Sequence, residues 1–119
     1  MPEGHLIHHF ADRIRADLGG TEIRATSPQG KFDADVLDGR RLLDVRAAGK
    51  HLFYDVEDAP AVHVHLGMRG LFLRYPDPKT PPRTGTRLRL AGPTAAWDLI
   101  APSACDLLDA AEVARILAK

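Results

Sequence analysis

The chain has 119 residues, enough for one compact domain and too few for two ordinary ones. Its 45% of apolar and 27% of charged residues argue against disorder, and its sixteen basic and sixteen acidic side chains exclude a uniformly basic nucleic-acid binder. No run of about 18 apolar residues is present and the N-terminus lacks a signal-peptide pattern, so we expect a soluble cytoplasmic protein.

An amphipathic helix is predicted at the start of the chain. Apolar side chains recur every four residues, and the pair Gly19-Gly20 then ends the pattern. The predicted apolar face consists of Leu6, Phe10, Ile14 and Leu18, with Ile7 and Ala11 beside it.

Short strands fill most of the remaining sequence. Runs rich in β-branched and aromatic residues predict strands at 21–27, 41–47, 51–57, 61–66, 71–75, 87–90, 95–100 and 105–108. Ala48-Gly49 predicts a hairpin between the second and third strands, and the proline-rich segment 76–85 predicts an exposed loop. Asp109 is the predicted N-cap of a last helix that ends near Leu117. This order predicts an α+β fold, an antiparallel β-sandwich of two sheets flanked by an N-terminal and a C-terminal helix.

Positive charge is concentrated in the middle third of the chain. Residues 59–97 contain six basic side chains and one acidic side chain, whereas residues 1–58 contain eight basic and eleven acidic ones. Such a segment can hold a polyanion on a chain that is neutral as a whole. The alternative is that these basic side chains only occupy exposed strand faces.

The first residues offer an N-terminal nucleophile. Removal of Met1 leaves a secondary α-amine at Pro2, and α-amines have a reference pKa of about 7.7–8.0 against about 10.4 for lysines. A neutral secondary amine forms an iminium with a sugar aldehyde carbon, and the adjacent Glu3 is placed to move a proton. The alternative is an ordinary helix start, where proline is tolerated in the first turn.

Two further motifs carry candidate binding residues. Lys50, at the tip of the predicted hairpin, can reach a phosphate, although most such lysines are solvated surface residues. In HVHLGMRG at 63–70, glycines on both sides of Met68-Arg69 allow a sharp turn that projects Met68 outward as a wedge between stacked bases. A methionine packed in the core is the alternative.

The histidines and the cysteine allow other chemistry. His63 and His65 share one face of a predicted strand, a spacing that metal sites in β-barrels use, and His5, His8 and His9 lie on the first helix. A metal-dependent enzyme is therefore a rival hypothesis, but no carboxylate completes a tight cluster, and we assign no metal ligand in this chain. The single Cys105 excludes an internal disulfide and a four-cysteine zinc site.

Together, these motifs resemble the formamidopyrimidine-DNA glycosylase/endonuclease VIII family of bifunctional DNA-repair enzymes. The matching segments are MPEG at 1–4 ahead of an amphipathic helix, AAGKHLFY at 47–54 and HVHLGMRG at 63–70, in the order and at the separations of that family's N-terminal catalytic domain. The combination is specific and covers essentially the whole chain. MPEGH and the run TSPQGK at 26–31 are similar to an endonuclease VIII-like branch in actinobacteria.

The resemblance implies three catalytic residues. Pro2 is the nucleophile that attacks C1′ of a damaged nucleotide and forms a Schiff base, and Glu3 is the general acid/base beside it. Lys50 contacts a phosphate and supports catalysis. The implied reaction is excision of an oxidised base followed by β,δ-elimination at the abasic site.

The resemblance also implies a DNA-binding surface. His65 positions the DNA backbone near the lesion, Met68 enters the space that the flipped base leaves, and Arg69 belongs to the same surface. The implied partner is damaged double-stranded DNA, bound by a monomer with no membrane association.

The sequence departs from the family's pattern in several places. Position 6 often carries a glutamate in the family and is Leu6 here, and the arginine and phenylalanine that help to fill the gap should fall near 99–105, which reads LIAPSAC. The family's helix–two-turn–helix domain and zinc finger are absent from these 119 residues. We therefore expect residues 1–119 to be the catalytic first domain of a longer protein, weak or inactive alone, with no cofactor here and zinc in the part that follows. A non-catalytic DNA-binding module on the same scaffold is the alternative.

Overall fold

The computed structural model of the chain describes residues 4–118 and contains the predicted sandwich. Pro2 and Glu3, the predicted nucleophile and general acid/base, lie outside the described residues. The helices and strands are α1 (Gly4–Leu18), β1 (Arg24–Thr26), β2 (Leu42–Ala48), β3 (His51–Val56), β4 (Ala61–His65), β5 (Leu71–Tyr75), β6 (Thr86–Ala91), β7 (Ala96–Ile100), β8 (Ala104–Leu108) and α2 (Ala110–Leu117). A 3₁₀ turn at Ala34–Val36, which the sequence analysis did not predict, lies between β1 and β2.

The strands form two antiparallel four-stranded sheets. Sheet A has the order β1-β6-β7-β5 and sheet B the order β2-β3-β4-β8. Side chains alternate between the two faces of each strand, so Val62 and Val64 of β4 enter the core between the sheets. His63 and His65 consequently lie on the outer face of sheet B, as the alternating sequence predicts.

Helix α1 closes one side of the sandwich with an apolar face that differs from the predicted one. The buried side chains are Ile7, Ala11, Ile14 and Leu18, whereas Leu6 is 36% exposed. With 3.6 residues per turn, each four-residue step drifts by about 40° around the helix, so Leu6 lies about 120° away from Leu18. The prediction of Leu6 as a core residue is wrong for this reason.

The contacts of α1 fix its direction along sheet B. At its C-terminal end the amide of Gly20 donates to the carbonyl of Leu42 at 2.7 Å, and one turn earlier Arg15 donates to the carbonyl of Val45. The helix therefore runs antiparallel to β2, and it rises by about 16 Å from Arg15 back to Gly4. The N-terminus of α1 thus lies at the end of sheet B where β2 turns into β3.

Helix α2 packs on the outer face of sheet B, over β4 and β8. Its start is the predicted one, because the Asp109 carboxylate accepts from the amide of Glu112 at 2.8 Å and the Glu112 carboxylate accepts from the amide of Asp109 at 3.1 Å. This reciprocal capping satisfies two donors at the helix terminus. Val113 is buried beneath the helix.

The proline-rich loop at 76–85 is bound to the outer face of sheet A. Arg89 of β6 forms a bidentate ion pair with Asp98 of β7 at 2.7 and 2.9 Å, and its remaining nitrogen donates to the carbonyl of Thr80. Its guanidinium also lies 5.1 Å from the ring centroid of Tyr75. None of the helices in the described part of the chain is long and apolar enough to cross a membrane.

Candidate nucleic-acid interface

Two predicted binding residues, Lys50 and His65, meet at the hairpin end of sheet B. The β2–β3 turn has only two residues, and its first, Gly49, has a φ of 57°, the left-handed conformation that a type II′ turn requires there. The turn exposes Lys50, and the next residue, His51, lies directly opposite His65 in the β3–β4 register. A surface pocket of about 410 Å³ results, lined by Ala48, Gly49, Lys50, His51, His65, Ile116 and Leu117.

The turn after β4 holds Met68 in solvent. The carbonyl of buried Leu66 accepts from the amides of Gly70 at 3.0 Å and Ser103 at 3.2 Å, which ties this turn to the β7–β8 connection. Met68 is 83% exposed, and Arg69 beside it is also exposed. The outward projection predicted for Met68 is therefore confirmed, and the alternative of a core methionine is wrong.

Gly67 makes this turn possible, and its replacement by alanine is expected to cost about 1–3 kcal/mol of unfolding free energy. Its φ is 67°, and an added Cβ would lie 1.8 Å from Oγ of Ser103. Denaturant titration measures the loss. Gly30→Ala is the matched control, because Gly30 has a φ of 74° but open space around it. Equal losses in the two variants would contradict the predicted clash, whereas adding Ser103→Gly to Gly67→Ala should recover part of the loss.

The metal-dependent hypothesis finds no support among residues 4–118, where no group of three or more His, Cys, Asp or Glu side chains could hold a metal ion. The three histidines of α1, His5, His8 and His9, are exposed. Cys105 does not provide an alternative nucleophile either, because burial raises the pKa of its thiol to about 12. A thiol with such a pKa is protonated near neutral pH.

Several arginines of the basic middle segment have structural partners. Arg74 binds the Asp17 carboxylate of α1 at 2.7 Å, a contact that lowers the pKa of Asp17, and Arg87 donates to the side chain of Gln29 at 2.8 Å. Arg89 is the buried partner of Asp98. The alternative of exposed strand-face arginines is wrong for Arg89, which is buried. Arg74 and Arg87 have protein partners, and the exposed Arg69 beside Met68 remains a candidate for DNA contact.

Other members of the candidate site were not predicted. His51 lies between Lys50 and His65, its Nδ1 is 2.8 Å from Nε2 of His63, and Ile116 and Leu117 of α2 close the pocket. The strand alternation places only His63 and His65 on one face, as the sequence analysis predicts. The cross-strand register that adds His51, and the path of α2 over the sheet, are not readable from single segments.

This sandwich, with a hairpin lysine, a histidine at the end of β4 and an exposed methionine turn, is the N-terminal domain of a known family of enzymes. The sequence profile described as "Formamidopyrimidine-DNA glycosylase N-terminal domain" matches residues 1–99. The chain belongs to the formamidopyrimidine-DNA glycosylase family, as its three motifs predict.

Among the relatives of known name, the chain is similar to endonuclease 8 1 of Mycobacterium tuberculosis strain H37Rv. The two are 38% identical over 125 residues, which cover 100% of this chain and 47% of that protein. Probable endonuclease 8 2 of Streptomyces coelicolor is 38% identical over 71 residues, or 59% of this chain and 26% of that protein. The chain thus spans about half the length of the mycobacterial relative.

Solved structures share the fold over nearly the whole chain. A structure of MutM in complex with DNA containing carbocyclic 8-oxo-G superposes with a TM-score of 0.82 at 14% identity, covering 98% of this chain and 48% of that one. Lactococcus lactis formamidopyrimidine DNA glycosylase, bound non-covalently to DNA containing an AP site, gives a TM-score of 0.78 at 16% identity, with 98% and 48% covered. These likenesses confirm the α+β sandwich.

Proposed function

We propose that this chain is the catalytic N-terminal domain of a DNA glycosylase and abasic-site lyase that removes oxidised bases in base-excision repair. The observation that carries the proposal is membership of the formamidopyrimidine-DNA glycosylase family, with an endonuclease 8 relative aligned over the whole chain. The geometry of the hairpin end of sheet B supports it, because cationic, hydrogen-bonding and wedge-forming side chains occur together there.

In the proposed complex the hairpin end of sheet B faces the DNA backbone. Exposed Lys50 binds a phosphate as a point charge, and His65, which lines the same pocket, positions the backbone beside the lesion. Met68, held in solvent by the 66–70 turn, enters the stack when the damaged nucleotide is flipped out, with Arg69 beside it.

The proposed chemistry uses the two residues that precede α1. The neutral amine of Pro2 attacks C1′ and displaces the base, which leaves in its protonated form. The Pro2 nitrogen then loses its proton and O4′ gains one as the C1′–O4′ bond breaks, so the opened sugar is held as a cationic iminium. Loss of a proton from C2′ then expels the 3′ phosphate, and a second elimination expels the 5′ phosphate. Glu3 moves protons in these steps. The N-terminus of α1 lies at the hairpin end of sheet B. The proposed chemistry therefore takes place at the same end of the domain as Lys50.

Borohydride trapping on the full natural protein, with Pro2 as its first residue, tests the proposal. Reduction of the iminium should link the protein covalently to a duplex that contains an abasic site, and an intact duplex should give no adduct. The 119 residues alone are expected to react weakly, because they align with only 47% of the endonuclease 8 1 relative from Mycobacterium tuberculosis.

A second candidate function is a non-catalytic DNA-binding module. Two observations favour it: Leu6 stands where the family often has a glutamate, and the β7–β8 connection at 101–103, which reads APS, offers neither arginine nor phenylalanine. Binding to abasic duplex without any trapped adduct would support this candidate over the lyase.

Replacing Lys50 by alanine is expected to weaken binding to every duplex sequence and to reduce the salt dependence of the affinity. One lost phosphate contact lowers the slope of log K against log salt by about 0.9. Fluorescence anisotropy titrations across a range of salt concentrations measure that slope. Lys79→Ala, which removes the same charge from the exposed loop over sheet A, is the control and should leave the slope unchanged. Equal slopes for wild type and Lys50→Ala would make Lys50 an ordinary surface residue.

A further inference from the structure

Three imidazole rings form a cluster on the outer face of sheet B, beside Lys50. The His51 ring lies 5.0 Å from the His63 ring and 5.4 Å from the His65 ring, both measured between centroids, at interplanar angles of 35°. Nδ1 of His51 and Nε2 of His63 are 2.8 Å apart, a hydrogen-bond distance. One of these two nitrogens must carry the proton for the bond to form.

His63 is the buried member of this cluster. It is 8% exposed, and the Phe53 ring lies 5.3 Å from its own. Burial lowers the pKa of His63, and the neighbouring His51 lowers it further, so we expect a neutral ring at pH 7. A neutral imidazole has one N–H donor and one acceptor nitrogen.

Asp106 of β8 selects between the two tautomers of His63. Its Oδ2 lies 3.9 Å from Nδ1 of His63, and the two residues are direct partners in the β4–β8 register. The negative carboxylate favours the proton on the nearer nitrogen, Nδ1. Nε2 of His63 is then the acceptor, and Nδ1 of His51 must be the donor.

Among residues 4–118, a paired arginine and aspartate lie near this face. Arg46 and Asp55 bind each other at 2.6 Å, although Arg46 also lies 5.6 Å from the Phe53 ring centroid. Helix α2 presents apolar Val113 and Ile116 toward the sheet. Asp109 and Glu112 form the cap of α2, and Arg115 of that helix is exposed. In the pocket, the cationic or titratable neighbours of His51 are Lys50 and His65.

We propose that His63, oriented by Asp106, is a positioning residue for the phosphate-binding surface, because it accepts from Nδ1 of His51 and fixes the tautomer and orientation of that ring. The inference rests on the proposed function for its consequence in DNA binding, but the tautomer itself is independent of that function. His51 lies opposite His65 in the sheet with the two rings 5.4 Å apart, so its fixed ring orients His65 on the surface that Lys50 shares.

The tautomer is testable by ¹⁵N NMR of the imidazole nitrogens in the full chain. His51 should carry its proton on Nδ1, the less common tautomer of neutral histidine in water, and His63 should also carry its proton on Nδ1. Asp106→Asn should shift both rings toward mixed tautomers, whereas Asp35→Asn, the same change at an exposed position on the 3₁₀ turn, should not. An Nε2-protonated His51 in the wild type would overturn the proposal.

DNA affinity tests the positioning role. His63→Leu removes the acceptor and should weaken binding to abasic duplex by about three- to tenfold, the usual worth of one hydrogen bond, while leaving the salt slope unchanged. His63→Gln restores an amide oxygen near the position of Nε2 and should recover most of the affinity. Thermal unfolding of the two variants separates this effect from a loss of folded protein.

The outcomes distinguish this inference from the proposed function. If Lys50→Ala weakens DNA binding and a folded His63→Leu variant does not, the positioning role is overturned and the proposed DNA binding stands. Absence of DNA binding by the full natural protein overturns the proposed function, and the NMR result then decides the tautomer by itself.

Discussion

Replacing Asp98 by alanine is expected to lower the free energy of unfolding by about 3–5 kcal/mol. The Asp98 side chain is completely buried, and the Arg89 side chain that binds it at 2.7 Å is 8% exposed. Truncation leaves the guanidinium buried without its counter-charge, which is far more costly than losing an ion pair in water. Denaturant titration followed by tryptophan fluorescence measures the loss, since Trp97 lies in the same strand as Asp98.

The same molecule offers a matched control for that prediction. Arg46 and Asp55 form a diagonal cross-strand ion pair on sheet B at 2.6 Å, and their side chains are 40% and 29% exposed. Asp55→Ala should therefore cost no more than about 1 kcal/mol. Equal losses of unfolding free energy for Asp98→Ala and Asp55→Ala would show that burial does not determine the cost of removing the carboxylate. The double replacement Arg89→Met with Asp98→Leu should lose less than Asp98→Ala, because no charge remains uncompensated.

The strands and both helices could be predicted because their signals are local. The capping box at Asp109 and Glu112 and the valine–histidine alternation of β4 each depend on residues within one element. The prediction that Leu6 is a core residue failed because residues spaced four apart drift around a helix and do not stay on one face over four turns. The 3₁₀ turn at Ala34–Val36 was missed because its buried Ala34 and the following Leu37 carry no periodic pattern.

The candidate site was only partly predictable, since its members come from separate elements. The family motifs indicated Lys50 and His65, and the structure places both at one pocket. Asp106 could not be connected with His63 from the sequence, because the pairing of β8 with β4 is a long-range choice that no local propensity encodes. The basic excess of the middle segment is similarly ambiguous from sequence, because the carboxylates that bind Arg74 and Arg89 belong to other elements.

Replacing Pro2 by glycine is expected to reduce lyase turnover on an abasic duplex by at least about tenfold, a barrier increase of about 1.4 kcal/mol. A secondary amine condenses with the sugar to a permanently cationic iminium, which withdraws electrons as the C2′ proton leaves. The primary amine of glycine gives an imine that must first be protonated to do the same. Gel analysis of strand cleavage under single-turnover conditions, on the full natural protein after removal of Met1, measures the change.

A protein that retains Met1 isolates the role of the amine from that of the side chains. Its Pro2 nitrogen is an amide, which is not nucleophilic, while every residue from Pro2 onward is unchanged. This form should still bind the abasic duplex but give neither cleavage nor a borohydride-trapped adduct. If it forms an adduct that maps to a lysine such as Lys50, then the nucleophile lies on the hairpin and not at the chain terminus. A Pro2→Gly variant with full turnover would instead count against the assignment of Pro2, because the secondary amine would then be dispensable.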